Sequence, residues 1–401
     1  MSKYVAFNND TALSYVQELG QFFPADAILS CYEFGDGNLN LVFRIQDTNA
    51  QRSIILKQAL PYARCVGESW PLTLDRARIE ASVLQKHGAV CPELTAKVLH
   101  HNSELAVTIL EDLGHMAILR GELNQGNTFK HLGTHVGTYL ATTSFFYSDF
   151  YLPAADKKSL VQEFTNPELC SITEDLFFDD PYREHERNNY PVALEEQVSL
   201  LRENKTLLIN VAKLKSKFYS SPQTLLHGDV HTGSLFVSAQ ETKFIDPEFG
   251  FFGPIGFDLG SFIGNLLLNY CAQNGRIVET PKRRDVHSYL LNTISTCLQT
   301  FEQHWLTLAK TDTRDLALQA PGYVEQFLQE VLQDAMGYCG TELIRRTIGL
   351  AHVADIDGIE DETKRLAVQK QTLLLGEQLI LNAKSCRSTD DFYQLIISFA
   401  H

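Results

Sequence analysis

Leu226-His227-Gly228-Asp229-Val230-His231-Thr232-Gly233-Ser234-Leu235-Phe236-Val237, followed by Phe244-Ile245-Asp246-Pro247-Glu248, is the stretch whose reading decides the fold. It reads as a loop, a strand, a polar turn over 238–242, a second strand and a second loop. Such a hairpin brings its two ends together, so Asp229 at the entry and Asp246 at the exit become neighbours. Either aspartate alone is an ordinary turn residue. The pair, with His227-Gly228 before one and Glu248 after the other, meets a need of phosphoryl transfer. One carboxylate accepts a hydroxyl proton; another holds the metal that bridges nucleotide phosphates.

Upstream, the order of elements supports that chemistry. Asp10-Thr11 predicts a helix cap before Leu13, Val16 and Leu19. Cys31 to Phe34 and Leu39 to Arg44 read as strands around Gly35-Asp36-Gly37-Asn38, which taken alone is a plain hairpin turn lacking the third glycine of a dinucleotide motif. Ser53-Ile54-Ile55-Leu56-Lys57 is a further apolar strand. Its lysine is either a snorkelling edge residue or, in the strand order of kinases, the one that meets nucleotide phosphates. A helix is expected from Asp75 to His87, stopped by Gly88, with Glu80 either paired to Lys57 or facing solvent. The strand Leu105 to Leu110 exits into Glu111-Asp112-Leu113-Gly114, which suits a hinge. There the backbone groups of Glu111 and Leu113 would read an adenine edge, and a lobe boundary is placed near 113.

Downstream of Thr128 the pattern is mostly helical, with loops expected at 166–168 and 179–189. Ser234 stands five residues beyond Asp229, where most kinases carry a metal-binding Asn, and Glu248 can supply the missing oxygen ligand. Asp258 reads as a cap that braces the catalytic loop. Arg345 and Arg346 are adjacent in an apolar helix. Neighbouring helical residues point ~100° apart, so the pair is not expected to share one job, and at least one is given a substrate or product role because guanidinium suits phosphate oxygens.

Composition sets the frame. A chain of 401 residues calls for two lobes or domains, and 44% apolar with 21% charged residues is globular. A net charge of −15 argues against nucleic acid or an anionic membrane surface as partner. The eight cysteines show no metal spacing and read as reduced thiols, and the apolar run at 262–268 is too short to span a bilayer. With no apolar leader at the first residues, the expected location is cytoplasmic.

Together, Gly35 to Phe43, Gly67-Glu68-Ser69-Trp70-Pro71, His227-Gly228-Asp229 with Ser234, Asp246-Pro247-Glu248-Phe249 and Ile344 to His352 closely resemble the methylthioribose kinase family, within the aminoglycoside phosphotransferase and choline kinase-like superfamily. The resemblance implies an α+β, bilobal, protein-kinase-like fold. Residues 1–113 would form a small β-rich nucleotide-binding lobe and 114–401 a large helical catalytic lobe. It implies ATP and Mg2+ as cofactors, 5-methylthioribose as the phosphorylated partner at its 1-hydroxyl, and a homodimer. Asp229 would be the catalytic base and a substrate ligand, and Asp246 and Glu248 would hold Mg2+. Gly35, Gly37, Asn40, Lys57, Glu111, Asp112, Leu113 and the Asp246-Pro247-Glu248 run would bind nucleotide, and Arg345 or Arg346 the sugar. Two rivals remain open: a kinase of the same fold acting on an aminoglycoside, choline or homoserine, and a catalytically inactive kinase-like binding module.

Overall fold

The computed structural model describes residues 4–34, 39–50, 52–63 and 67–400. Gly35 and Gly37 lie outside the described residues. The chain divides into two compact units, Met1–Met116 with Phe244–Phe249, and Ala117–Lys243 with Gly250–His401.

The first unit is built on an antiparallel sheet of β1 (Leu29–Phe34), β2 (Asn40–Asp47), β3 (Ser53–Ala59), β6 (Val98–Asn102) and β7 (Val107–Glu111), in the order β1-β2-β3-β7-β6. The short pair β4 (Tyr62–Ala63) and β5 (Gly67–Pro71) follows β3. Side chains alternate across a pleated strand. Ile54 and Leu56 of β3 therefore join Phe43, Ile45 and Ile109 in a core covered by Ala12 and Val16 of the helix Asn9–Leu19. Lys57 falls on the opposite face. That first helix is capped by Asn8, whose side chain and Thr11 satisfy each other's backbone N–H groups. The expected Asp10 lies inside the first turn instead. The helix Arg76–Val90 runs two residues past Gly88, its buried positions Ile79, Val83, Leu84 and His87 all lying before the glycine. Asp75 does not cap it with its side chain but pairs with Arg78.

The second unit is mainly helical. β8 (Ala117–Ile118), β10 (Leu235–Val237) and β11 (Thr242–Phe244) form a small sheet of order β11-β10-β8, which realises the expected hairpin. β9 (Thr224–Leu225) pairs with β12 (Phe252–Gly253). The core is dominated by the helices Gly256–Arg276, Tyr323–Ile348 and Glu362–Asn382. The apolar run 262–268 is the buried middle of the first of these. Gly264 lets it approach the helix Tyr323–Ile348 closely, since a Cβ there would sit 2.9 Å from the Cβ of Glu342. The expected loop at 166–168 is a helix start, Pro167–Glu174, with proline in the first turn where no N–H is needed. No helix among the described residues is long and apolar enough to cross a membrane.

Candidate active site

Two clusters carry the predicted residues, one in each unit. In the first, Lys57 Nζ lies 2.8 Å from Glu80 Oε1 and 2.9 Å from Glu248 Oε1, and also pairs with Asp246. Glu80 thus pairs with the strand lysine rather than facing solvent. Burial opposes charge on Lys57, but Asp246, Glu248 and Glu80 outweigh it and hold the ammonium well above its ordinary value. Glu248 is buried too, yet Lys57 and Arg76 hold its carboxylate low. Burial pushes Glu80 up to about 8 although Lys57 works against it, and the two other carboxylates add to the rise. The cluster is a set of converging carboxylates around one ammonium. Its three carboxylates each offer an oxygen within 4.8 Å of the others. These are hard donors of the kind Mg2+ selects, so the residues fit a divalent ion.

Backbone geometry presents that cluster. Asp246 sits in the left-handed region at φ 71°, a conformation aspartate tolerates better than most side chains, and its carboxylate is half exposed. Pro247 and Glu248 behind it are buried. Asn40 is buried with its side chain spanning Glu248 and Arg76 Nη2, the latter at 3.0 Å. Arg76, which the sequence reading gave no role, is fully buried. It donates to Glu248 at 3.0 Å and to the carbonyls of Leu39 and Leu60. Its only advance signal is an arginine at the start of a helix whose other inward positions are apolar.

At the predicted hinge, the Glu111 N–H donates to the Lys97 carbonyl and the Leu113 carbonyl accepts from Met116. The Leu113 N–H makes no hydrogen bond among the described residues. The Asp112 carboxylate is held by Arg44 at 2.5 Å and by Ser53 at 2.5 Å.

In the second unit the Asp229 loop is held by Asp258. Asp258 accepts from the N–H groups of His227 at 2.8 Å and Gly228 at 3.0 Å. Burial pushes its carboxyl up to about 7 against those two bonds. Gly228 takes φ 83°, which costs glycine nothing. Ser234 is buried and donates to the Asp229 carbonyl at 3.0 Å, so its hydroxyl closes the loop on itself. The Asp229 carboxylate has His231 Nε2 at 3.3 Å and the Nη2 atoms of Arg345 and Arg346 each at 4.0 Å. Burial would raise it, but His231, then Arg346 and Arg345, hold it well below the usual carboxylate range.

The two arginines do not diverge as their spacing predicts. Glu342 stands three residues before one and four before the other, on the same helical face. Its buried carboxylate accepts from Arg345 Nε and, at 2.9 Å, from Arg346 Nε, gathering both long side chains toward Asp229. The Arg345 guanidinium lies 3.6 Å above the Phe177 ring centroid, a close cation–π contact, in a single π-helical turn at Asp175–Asp179. Burial and Arg346 together push Arg345 down to about 10.

A loop carboxylate kept ionised beside paired arginines, and a lysine set among metal-competent carboxylates, define a phosphoryl-transfer enzyme. The phosphotransferase enzyme family is matched over residues 30–284. The chain is 53% identical over 384 residues to the methylthioribose kinase of Yersinia pseudotuberculosis serotype O:3 (strain YPIII), covering 96% of this chain and 94% of that protein. It is 50% identical over 392 residues to that of Cronobacter sakazakii (strain ATCC BAA-894), covering 98% of each. A crystal structure of choline kinase from Cryptosporidium parvum Iowa II aligns with a TM-score of 0.53 at 10% identity, across 96% of this chain and 99% of that one, a likeness of fold alone. The chain belongs to the phosphotransferase enzyme family and, within it, to the methylthioribose kinases. It is an ATP-dependent kinase of α+β, protein-kinase-like fold, and kinases of this family use ATP with Mg2+.

Proposed function

We propose that the protein transfers the γ-phosphoryl group of ATP to the 1-hydroxyl of 5-methylthioribose, giving 5-methylthioribose 1-phosphate for methionine salvage. The observation that carries this reading is Asp229, an anion held beside two arginines that share one buried anchor. The sugar hydroxyl donates to Asp229. As its oxygen bonds to the γ-phosphorus, the bond to the ADP oxygen breaks and the proton passes to the Asp229 carboxylate. Arg345 and Arg346 take up the charge that appears on the product phosphate.

Residues 1–113 are read as the nucleotide-binding lobe and 114–401 as the catalytic lobe. Asp246 and Glu248 would hold Mg2+, with Glu80 a third carboxylate in reach, and the bound ion would supply charge neutralisation to the nucleotide phosphates. Lys57, Asn40 and Pro247 are read as nucleotide contacts, as are Gly35 and Gly37, which lie outside the described residues. Along Glu111-Asp112-Leu113, the unengaged Leu113 N–H is the group offered to adenine. The enzyme works where ATP is made available, in the cytoplasm, and as a homodimer.

ATP turnover with 5-methylthioribose is the test, with choline, homoserine and kanamycin as control acceptors and Asp229→Asn in parallel. Turnover with the methylthio sugar only is expected, with kcat for the variant down by about 10²–10⁴-fold, the usual worth of a positioned base. Turnover with a control acceptor alone would overturn the substrate assignment.

A further inference from the structure

The helix Leu119–Asn124 carries an arginine that no step above uses, and its neighbours close a ring. Arg120 Nε donates to Thr232 Oγ1 at 3.1 Å, three residues beyond Asp229 in the same loop. Its Nη2 donates to Asn265 Oδ1 at 2.8 Å. Asn265 Nδ2 donates in turn to Glu342 Oε1 at 2.8 Å. Glu342 accepts the Nε atoms of Arg345 and Arg346, whose Nη2 atoms return to within 4.0 Å of Asp229. The path ends on the loop from which it started. Thr232, Asn265 and Glu342 are fully buried, and a buried carboxylate, Asp355, stands 3.4 Å from Arg120 Nε to balance its charge. Asp355 is itself held by Asn269 at 2.9 Å.

A run of buried hydrogen bonds whose far end returns as ion pairs at 4.0 Å constrains more than a chain with a free end. Rotating the planar Arg120 fork breaks its bonds to Thr232 and Asn265 together, and each break leaves a desolvated polar group. We propose that Arg120 is a positioning residue that sets the Asp229 loop against the Arg345–Arg346 pair without itself touching substrate. This rests on the reading of Asp229 as the base.

The test is steady-state kinetics of the full chain carrying Arg120→Met, Arg120→Lys or Thr232→Val. Wild-type turnover on 5-methylthioribose speaks to the functional reading alone; were another acceptor found instead, the variants are assayed on that one. Arg120→Met is expected to lower kcat/KM for the acceptor by about 10–100-fold while KM for ATP stays within about twofold. Lysine will not restore it, since an ammonium cannot hold both partners in one plane. The acid limb of the acceptor kcat/KM profile should move to higher pH in Arg120→Met, because the arginines that keep Asp229 ionised lose their alignment. In the double variant with Thr232→Val the losses should fail to multiply, as for groups acting through one network. Folded Arg120→Met with acceptor kinetics and pH profile like wild type would overturn the proposal, as would losses that multiply. Should Arg120→Met not fold, Thr232→Val removes only the loop end of the ring, and unchanged acceptor kinetics there would overturn it equally.

Discussion

Lys57 and Arg76 face Glu80, Asp246 and Glu248 in the first compact unit, whereas Arg120, Arg345 and Arg346 face Asp229, Glu342 and Asp355 in the second. Both clusters mix buried cations with carboxylates; what those carboxylates face differs. In the first, three carboxylates converge on one point within reach of a single ion. In the second, Asp229 faces His231 and two guanidinium groups. On the proposed reading, the first cluster offers donors to a metal ion, and the second gains a positive charge when Asp229 takes up the proton of the acceptor hydroxyl.

The largest effect should come from removing the ion that the first cluster is proposed to hold. Stripping divalent ions with a chelator is expected to eliminate turnover, and Mg2+ should restore it. Asp246→Asn should lose about 10²–10³-fold in kcat even at saturating Mg2+, since an amide oxygen is a far weaker ligand for a hard cation. Calorimetric titration of Mg2+-nucleotide against the variant reports the binding side of the same loss. Full turnover in the chelated enzyme would break the contrast, because the converging carboxylates would then hold no ion the reaction needs.

A smaller but sharper effect is expected from Glu342→Gln. Gln keeps the shape and one acceptor oxygen, yet leaves two buried guanidinium groups without their shared counter-ion. Losing one partner of a buried pair costs about 3–5 kcal/mol of stability, so the melting temperature should fall. In the protein that remains folded, KM for the acceptor should rise about tenfold or more with KM for ATP within about twofold. A rise confined to the ATP KM would show that the second cluster serves the nucleotide rather than the acceptor.

How far these clusters were legible beforehand follows from the distance over which each residue finds its partner. Lys57 was legible because strand alternation alone takes it off the core face that Ile54 and Leu56 share. Asp229 and Asp246 were legible as candidates because a ten-residue hairpin and its flanks are local. Arg76, Arg120, Asn265 and Glu342 were not, since periodicity identifies an inward-facing polar residue without naming what it meets on another helix. The arginine pair shows the limit most clearly. A 100° step is correct for their Cβ directions, but side chains of that length reach a common carboxylate one turn back, and no single-helix rule contains Glu342's own support from Asn265. The cap of the first helix failed for a more local reason: Asn8 and Asp10 are both good caps, and the reciprocal bond with Thr11 decided between them.

The smallest expected effect is one of constancy, and it rests on the sign of the Asp229 shift. Burial by itself would lift this carboxyl, which would place an acid limb near neutrality in the acceptor profile. His231 and the two arginines reverse that, so the folded value lies below the ordinary one. A depressed carboxyl contributes stability that is present above its unfolded value and is lost only as pH falls through the folded one. The same sign keeps Asp229 ionised on acidification. The kcat/KM for the acceptor should therefore stay level from about pH 8 to about pH 5 on account of Asp229. In Glu342→Gln the arginines lose their anchor and burial regains weight, so an acid limb should enter that window. A limb near neutrality already in the wild type, absent from Glu342→Gln, would reverse the assignment: the arginines would then be serving a group other than Asp229.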